Sequence, residues 1–269
     1  MKQEKKKAAL VLSGGSILGL AHLGVIEELQ KAGYEFDAIY GVSAGAIVGA
    51  GLANGMSPKE IKAAFFSADF LSIAKDFSPL NTGLLKGRRL REYFNTLLDG
   101  KNIKDLPVPF KAGATDFDSG EYIQINIGNV ADAMRASSSL PMIFEPHLHP
   151  DYGRYLADGG LTRNFIIRDA LEEYAGDTII GINVHPVHDL PKDFHKKKLW
   201  GWKKDMFTYL NHSFNIMVNA QWEEPTDPRV IIISPDLKEY KGFSIHKKNY
   251  EPIIEKGRLA AREFLNNQE

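Results

Sequence analysis

Hydrophobic positions near the start of the chain follow two different periods. Residues 8–12 are apolar throughout, which predicts a strand buried on both faces. Residues 20–32 have apolar side chains at helical spacing, and Gly33 follows where such a helix would end. Residues 36–40 predict the next strand. Strand, glycine turn, helix and strand form a βαβ unit, so the pattern predicts an α/β fold.

The same reading extends over the rest of the chain. It predicts a buried helix directly after residue 45 and further helices at residues 58–68, 84–98, 130–137, 205–220 and 250–265. It predicts strands at residues 110–115, 122–127, 178–184 and 229–234, and a loop at residues 148–155. No repeat or low-complexity linker interrupts the pattern. We therefore expect one domain over residues 1–269, with residues 1–7 as a disordered basic tail.

Composition narrows the class of protein. The chain has 269 residues, 43% hydrophobic and 25% charged, which is typical of a globular domain. Its net charge of -1 gives no reason to expect nucleic-acid binding. The absence of cysteine excludes disulfides, thiolate metal ligands and cysteine catalysis. The apolar run after the basic start is too short for a signal peptide or a membrane span, so we expect a cytoplasmic protein.

The segment from Gly41 to Gly45 is the first candidate for chemistry. It reads Gly-Val-Ser-Ala-Gly and lies between a predicted strand and a predicted helix. G-x-S-x-G in that position is typical of a nucleophile elbow, where a tight turn exposes a serine hydroxyl at the carboxyl edge of a sheet. The alternative is a glycine-rich turn in which Ser43 only caps the helix.

A second glycine-rich turn follows the first strand. Residues 13–19 read Ser-Gly-Gly-Ser-Ile-Leu-Gly. The turn could bind phosphate, but neither the dinucleotide fingerprint nor the P-loop motif is present. Its backbone N–H groups could instead stabilise an oxyanion. The next strand carries Ser43 to the neighbouring carboxyl edge, which favours the oxyanion hole.

Acidic and imidazole side chains complete the set of candidates. Asp158 precedes two glycines, so it either forms a turn or presents a carboxylate on an uncrowded loop. His185 and His188 follow a predicted strand and could be a metal pair, although no third ligand is evident. Their order after Ser43 and Asp158 also permits the Ser-Asp-His triad of an α/β-hydrolase. That fold has several strands before the elbow, whereas we count one before the strand that ends at Gly41.

Taken together, these motifs resemble those of the patatin-like phospholipases. The matching segments are the glycine-rich turn at residues 12–24, the elbow at residues 41–46, and the blocks at residues 114–116, 136–141 and 158–161. They occur in the family's order over most of the chain. The resemblance implies a three-layer α/β/α fold with a mostly parallel central sheet, acting on lipid or other acyl esters without a metal or cofactor.

The resemblance also implies roles for individual residues. Ser43 would be the nucleophile, and Asp158 would be the base of a Ser–Asp dyad. The backbone N–H groups of Gly14, Gly15 and Ser16 would form the oxyanion hole. The elbow and its supports would be Gly41, Gly45, Gly19, Gly159 and Gly160.

Two positions depart from the family pattern. Ser16 stands where the family usually has a third glycine, and Leu18 stands where it usually has Arg or Lys. These departures give weight to a lipid-binding protein with little turnover as an alternative. Residues 195–204 combine basic charge with two tryptophans, a composition that suits either a solvated loop or peripheral contact with an anionic membrane.

Overall fold

The computed structural model describes residues 5–68, 75–78, 83–185, 202–240, 242 and 247–268, with the backbone alone described at residues 202–208. Its strands are β1 (Lys6–Leu12), β2 (Tyr34–Val42), β3 (Gly83–Leu85), β4 (Phe110–Asp116), β5 (Tyr122–Ile125), β6 (Met142–Phe144), β7 (His147–His149), β8 (Arg154–Asp158), β9 (Ile179–Ile182) and β10 (Val230–Ile233). Its α-helices are α1 (Leu20–Lys31), α2 (Ala44–Ala53), α3 (Pro58–Ser67), α4 (Arg88–Leu97), α5 (Val130–Ser137), α6 (Ile167–Glu173), α7 (Trp202–Ala220) and α8 (Tyr250–Asn266).

The central sheet has the order β10-β9-β1-β2-β4-β8-β7, with β5 also paired to β4. Neighbouring strands from β10 to β4 are parallel, and β5, β7 and β8 add antiparallel pairs. Strands β3 and β6 form a separate small parallel sheet. The sheet is therefore mixed but mostly parallel, as the sequence predicts.

Helices cover both faces of the sheet. Leu10 and Leu12 of β1 belong to the larger apolar core, which includes side chains from α1, α2, α5 and α8. Val11 points to the opposite face and packs in a smaller core with Ile167 and Ala170 of α6. Because side chains alternate along a strand, a fully apolar run such as β1 requires a layer on each side. The predicted three-layer α/β/α fold is confirmed.

Several predicted elements need correction. The helix predicted at residues 84–98 begins only at Arg88, because residues 83–85 pair with β6 and Gly87 adopts a φ of 74°. The loop predicted at residues 148–155 contains most of β7 and the start of β8. Helix α7 begins at Trp202, three residues before the predicted start at residue 205.

The prediction of a disordered basic tail is also wrong for residues 5–7. Lys6 and Lys7 belong to β1, and the Lys6 N–H donates to the Gly33 carbonyl at 3.0 Å. Lys5 forms an ion pair with Glu35 at 2.6 Å. Charged side chains at the exposed end of a strand do not prevent its backbone from pairing. Among the described helices, none has the length and apolar content needed to cross a bilayer.

Candidate active site

Ser43 occupies the sharp turn between β2 and α2. Its backbone has a φ of 51° and a ψ of -118°, a region that non-glycine residues rarely adopt. A β-carbon on Gly41 would lie 2.5 Å from the Gly45 carbonyl oxygen, and one on Gly45 would lie 2.3 Å from the Leu12 carbonyl oxygen. Since both obstacles are backbone atoms, the turn requires glycine on each side of Ser43. The Ser43 side chain does not cap α2, contrary to the alternative interpretation of the motif.

The ends of β2 and β8 meet beside β4. Val42 pairs with Gly113 in the parallel ladder, and Asp158 pairs with Ala114 in the antiparallel one. Both residues of β4 also pair with β5, so β2 and β8 lie on the same side of β4. The two strands therefore run head to head, and their carboxyl ends face each other. Ser43 Oγ donates a hydrogen bond to Asp158 Oδ2 at 2.7 Å.

The carboxyl group of Asp158 is almost completely buried, with 2% of the residue exposed. Burial raises the pKa of Asp158 to about 6, although the hydrogen bonds from Ser43 and the Gly160 N–H lower it. The second of these bonds joins the Gly160 N–H to Asp158 Oδ1 at 2.8 Å. At neutral pH the carboxyl group is ionised and accepts the serine hydroxyl, which is the state that a base requires.

The turn after Asp158 is held from two sides. A β-carbon on Gly159 would lie 2.4 Å from the Gly113 carbonyl oxygen, so this glycine lets the turn pass close to β4. The Gln221 side chain, just beyond α7, donates to the carbonyl oxygens of Gly160 and Leu161 at 3.0 and 3.1 Å. Sequence reasoning did not identify Gln221, because nothing in its local pattern distinguishes it.

The glycine-rich turn after β1 approaches Ser43, but one predicted role is wrong. The Gly14 N–H donates to the Asn164 carbonyl at 3.0 Å, so it is not available to an oxyanion. The N–H groups of Gly15, Ser16 and Ala44 bind no acceptor within the described residues. A β-carbon on Gly14 would lie 3.3 Å from Ser43 Cβ, which shows how closely the two turns pack.

The structure also accounts for three further positions in this turn. A β-carbon on Gly19 would lie 2.5 Å from Ala44 Cβ, so Gly19 lets the turn pack against the start of α2. Ser16 has a φ of 50°, which costs roughly 1–2 kcal/mol for a residue with a β-carbon. Leu18 is 6% exposed and belongs to the larger core. Both departures from the family pattern are thus accommodated without moving the turn away from Ser43.

Ser137, the last residue of α5, connects the elbow to the sheet. The Ser43 N–H donates to Ser137 Oγ at 2.9 Å, and Ser137 Oγ donates to the Gly113 carbonyl at 2.6 Å. One buried hydroxyl thereby fixes the backbone of Ser43 to β4. The sequence places Ser137 in a block shared with the family but assigns it no role.

No described histidine lies between Ser43 and Asp158, whose side chains bond directly. His185 is buried near the Phe214 ring, with the ring centroids 5.8 Å apart, and its N–H donates to Asn183 Oδ1. His22 Nε2 lies 2.9 Å from the Ser13 carbonyl, and burial lowers the pKa of His22 to about 4. His188 lies outside the described residues, as does most of the basic, Trp-containing segment.

No metal centre emerges from the described part of the chain. Those residues contain no cluster of three or more His, Asp or Glu side chains that could hold an ion. The pair proposed from the sequence therefore has one described member, His185, and no described group completes it. Nothing in the chemistry of Ser43 and Asp158 calls for a metal or an organic cofactor.

Known proteins resemble this chain in sequence and structure. The model of the family described as patatin-like phospholipase matches residues 10–171. A Mycobacterium tuberculosis protein named as an uncharacterized NTE family protein is 27% identical over 98% of this chain and 47% of its own length. Mouse patatin-like phospholipase domain-containing protein 6 is 28% identical over 72% of this chain and 15% of its own length. The chain thus spans less than half the length of these relatives.

Among solved structures, VipD from Legionella pneumophila has the same fold. It superposes with a TM-score of 0.63 at 16% identity, over 98% of this chain and 67% of that chain. At this level of identity the likeness concerns the fold alone. The match over nearly the whole described architecture agrees with the α/β/α arrangement derived above.

Proposed function

We propose that this chain, which belongs to the patatin-like phospholipase family, hydrolyses fatty-acyl esters of lipids through an acyl-Ser43 intermediate. The observation that carries the proposal is the 2.7 Å hydrogen bond from Ser43 Oγ to the buried carboxylate of Asp158. A serine hydroxyl is a weak nucleophile unless an adjacent base accepts its proton. A carboxyl group with a pKa of about 6 performs that role at neutral pH.

The first half of the reaction forms the acyl-enzyme. Ser43 Oγ attacks the ester carbonyl carbon while its proton passes to Asp158. The carbonyl oxygen becomes an oxyanion that accepts hydrogen bonds from the N–H groups of Gly15, Ser16 and Ala44. The ester C–O bond then breaks, and the leaving alcohol takes the proton from Asp158. The dipole of α2, which begins beside Ser43, favours the same negative charge.

The geometry supports a dyad over a Ser-Asp-His triad. In a triad an imidazole ring separates the serine from the carboxylate. Here the serine hydroxyl and the carboxylate are already in hydrogen-bond contact, which leaves no place for a ring between them.

Two unfavourable features favour an enzyme over a lipid-binding protein. Ser43 has a strained backbone, and Asp158 is a buried carboxylate with a raised pKa. Each feature destabilises the folded state, by about 1–3 kcal/mol for strain of this kind. A protein that only binds lipid needs neither of them. Their juxtaposition is what nucleophilic catalysis requires.

A lipid surface is the proposed source of substrate. Residues 195–204 supply lysines and two tryptophans, as anionic membrane contacts do. The helix that follows has exposed apolar side chains at Tyr209 and Ile216, each 46% exposed. No Lys, Arg, Asp or Glu occurs from residue 209 to residue 220. The same helix contacts the Asp158 turn through Phe214, so the helix lies near the dyad, with Tyr209 and Ile216 on its opposite side.

Labelling and turnover test the proposal directly. Wild-type protein should hydrolyse p-nitrophenyl and phospholipid esters, and a fluorophosphonate should label Ser43. The Ser43→Ala variant should fold normally and lose activity by several orders of magnitude, because no other group forms the acyl intermediate. Equal activity in Ser43→Ala, or labelling at a different residue, would refute the assignment of the nucleophile.

A further inference from the structure

Asn164 is a buried residue between the glycine-rich turn and the Asp158 turn. Its carbonyl accepts the Gly14 N–H at 3.0 Å, and its side-chain Nδ2 donates to the Gly14 carbonyl at 3.3 Å. Its own N–H donates to Gln221 Oε1 at 2.8 Å. The remaining polar atom, Oδ1, accepts no hydrogen bond within the described residues, although Asn164 is only 2% exposed.

The orientation of this amide follows from its partner. If the amide were flipped, Oδ1 would face the Gly14 carbonyl oxygen, and two acceptors would oppose each other. The observed orientation directs Oδ1 toward the dyad. It lies 2.4 Å from the position of a β-carbon on Gly14, a position that is itself 3.3 Å from Ser43 Cβ. A buried acceptor in this location needs a donor.

Gly160 lies beside this oxygen and beside the carboxylate of Asp158. The position of a β-carbon on Gly160 is 3.0 Å from Asn164 Oδ1, 3.0 Å from Asp158 Oδ1 and 3.0 Å from Phe214 Cζ. Two acceptor oxygens and the edge of one aromatic ring therefore converge over Gly160. An ester oxygen does not fit between two acceptors, and an alcohol can donate to only one of them. Water has two O–H donors and satisfies both.

We propose that Asn164 Oδ1 and Asp158 Oδ1 together bind a water molecule, and that this water hydrolyses the acyl-Ser43 intermediate. The assignment rests on the proposed function and specifies its second half. Asn164 would thus act in deacylation, while acylation would depend on Ser43, Asp158 and the oxyanion hole.

The proposed step conserves atoms and charge. One O–H of the water donates to Asn164 Oδ1, which fixes the orientation of the oxygen. The other proton passes to Asp158 as the water oxygen bonds to the acyl carbonyl carbon. The tetrahedral intermediate then collapses, and the bond between that carbon and Ser43 Oγ breaks. Ser43 Oγ takes the proton from Asp158, and a carboxylic acid leaves.

Separate measurement of the two half-reactions tests the role of Asn164. With p-nitrophenyl butyrate in a stopped-flow instrument, Asn164→Ala should release p-nitrophenolate in a burst of about one equivalent per enzyme. Its subsequent turnover should be about tenfold slower than in wild type, as expected for loss of one orienting hydrogen bond. Fluorophosphonate should label Ser43 at the wild-type rate. Asn183→Ala removes another buried amide, whose Oδ1 already binds the His185 N–H, and should not accumulate acyl-enzyme.

Other outcomes would contradict the inference. If acylation and labelling in Asn164→Ala slow as much as turnover does, Asn164 only supports the Gly14 turn. If wild type forms no acyl-Ser43 at all, the proposed function fails and the inference fails with it. If Asn164→Ala does not fold, a crystal structure of the wild type tests whether Asn164 Oδ1 binds a water molecule. An ordered water within hydrogen-bond distance of both Oδ1 atoms supports the proposal, and a protein donor on Asn164 Oδ1 overturns it.

Discussion

Replacing Asp158 by asparagine should remove activity and raise stability together. The asparagine side chain fits the same space, and its amide oxygen can still accept the Gly160 N–H. It cannot accept the Ser43 proton, so turnover should fall by several orders of magnitude. It also carries no charge, so the folded state no longer contains a buried carboxylate at neutral pH. Opposite effects on activity and stability would not arise from a residue with a purely structural role.

The structure gives the size of the stability gain. Burial raises the pKa of Asp158 from 3.8 to about 6. Because each pH unit between the folded and unfolded pKa corresponds to about 1.4 kcal/mol, the ionised carboxylate destabilises the fold by on the order of 3 kcal/mol at pH 7. The folded state binds this proton more tightly than the unfolded chain does. The penalty is therefore absent below about pH 4 and grows until about pH 6.

Thermal unfolding of wild type and Asp158→Asn at a series of pH values measures this difference. At pH 7.5 the variant should melt about 6 °C higher, since each kcal/mol shifts Tm by roughly 2 °C in a domain of this size. The difference should shrink as the pH falls from about 6 to about 4. Asp118→Asn, which removes an exposed carboxylate from the turn after β4, serves as the control. A variant that is less stable at pH 7.5, or a difference independent of pH, would refute the reasoning.

Three further predictions follow from other parts of the chain. Ser137→Ala leaves the Ser43 N–H unpaired, so kcat should fall about tenfold with KM unchanged. Ser138→Ala, which loses a bond to the Met134 carbonyl, should keep kcat. His185→Ala should retain most esterase activity with the acidic limb of the pH–rate profile unmoved; loss of turnover with folding intact would indicate a triad. Changing the lysines at residues 196–198 to Gln should lower the fraction of protein that sediments with anionic vesicles. Vesicle binding that does not weaken as the salt concentration rises would contradict membrane contact.

The local sequence pattern was sufficient to predict a helix where the spacing of its apolar residues is strongly periodic. The helix predicted at residues 130–137 matches α5 residue for residue, and the predicted helix at residues 58–68 ends one residue beyond α3. Helix α3 begins with Ser57 and Glu60 bonded reciprocally, an arrangement whose signals lie within four residues. Such signals act over one turn of chain, so they survive in any tertiary context.

Short strands at the antiparallel side of the sheet were not predictable in this way. Strand β7 has three residues, and β8 is exposed at Arg154 and Tyr155 before it becomes buried. Neither has the alternation or the apolar run that identifies a strand. They exist because each pairs with a neighbour supplied by a distant part of the chain.

The sequence by itself determined the elbow at Ser43, the glycine-rich turn and the presence of a carboxylate before two glycines, because each is a short segment with its own steric requirement. Tertiary structure decided which of these groups meet. Ser43 and Asp158 are 115 residues apart and touch because β2 and β8 run head to head along one side of β4. The same packing pairs the Gly14 N–H with the Asn164 carbonyl and leaves Asn164 Oδ1, beside the dyad, without a donor among the described residues. Hydrogen-bond partners depend on the register between distant strands, and no local pattern specifies that register.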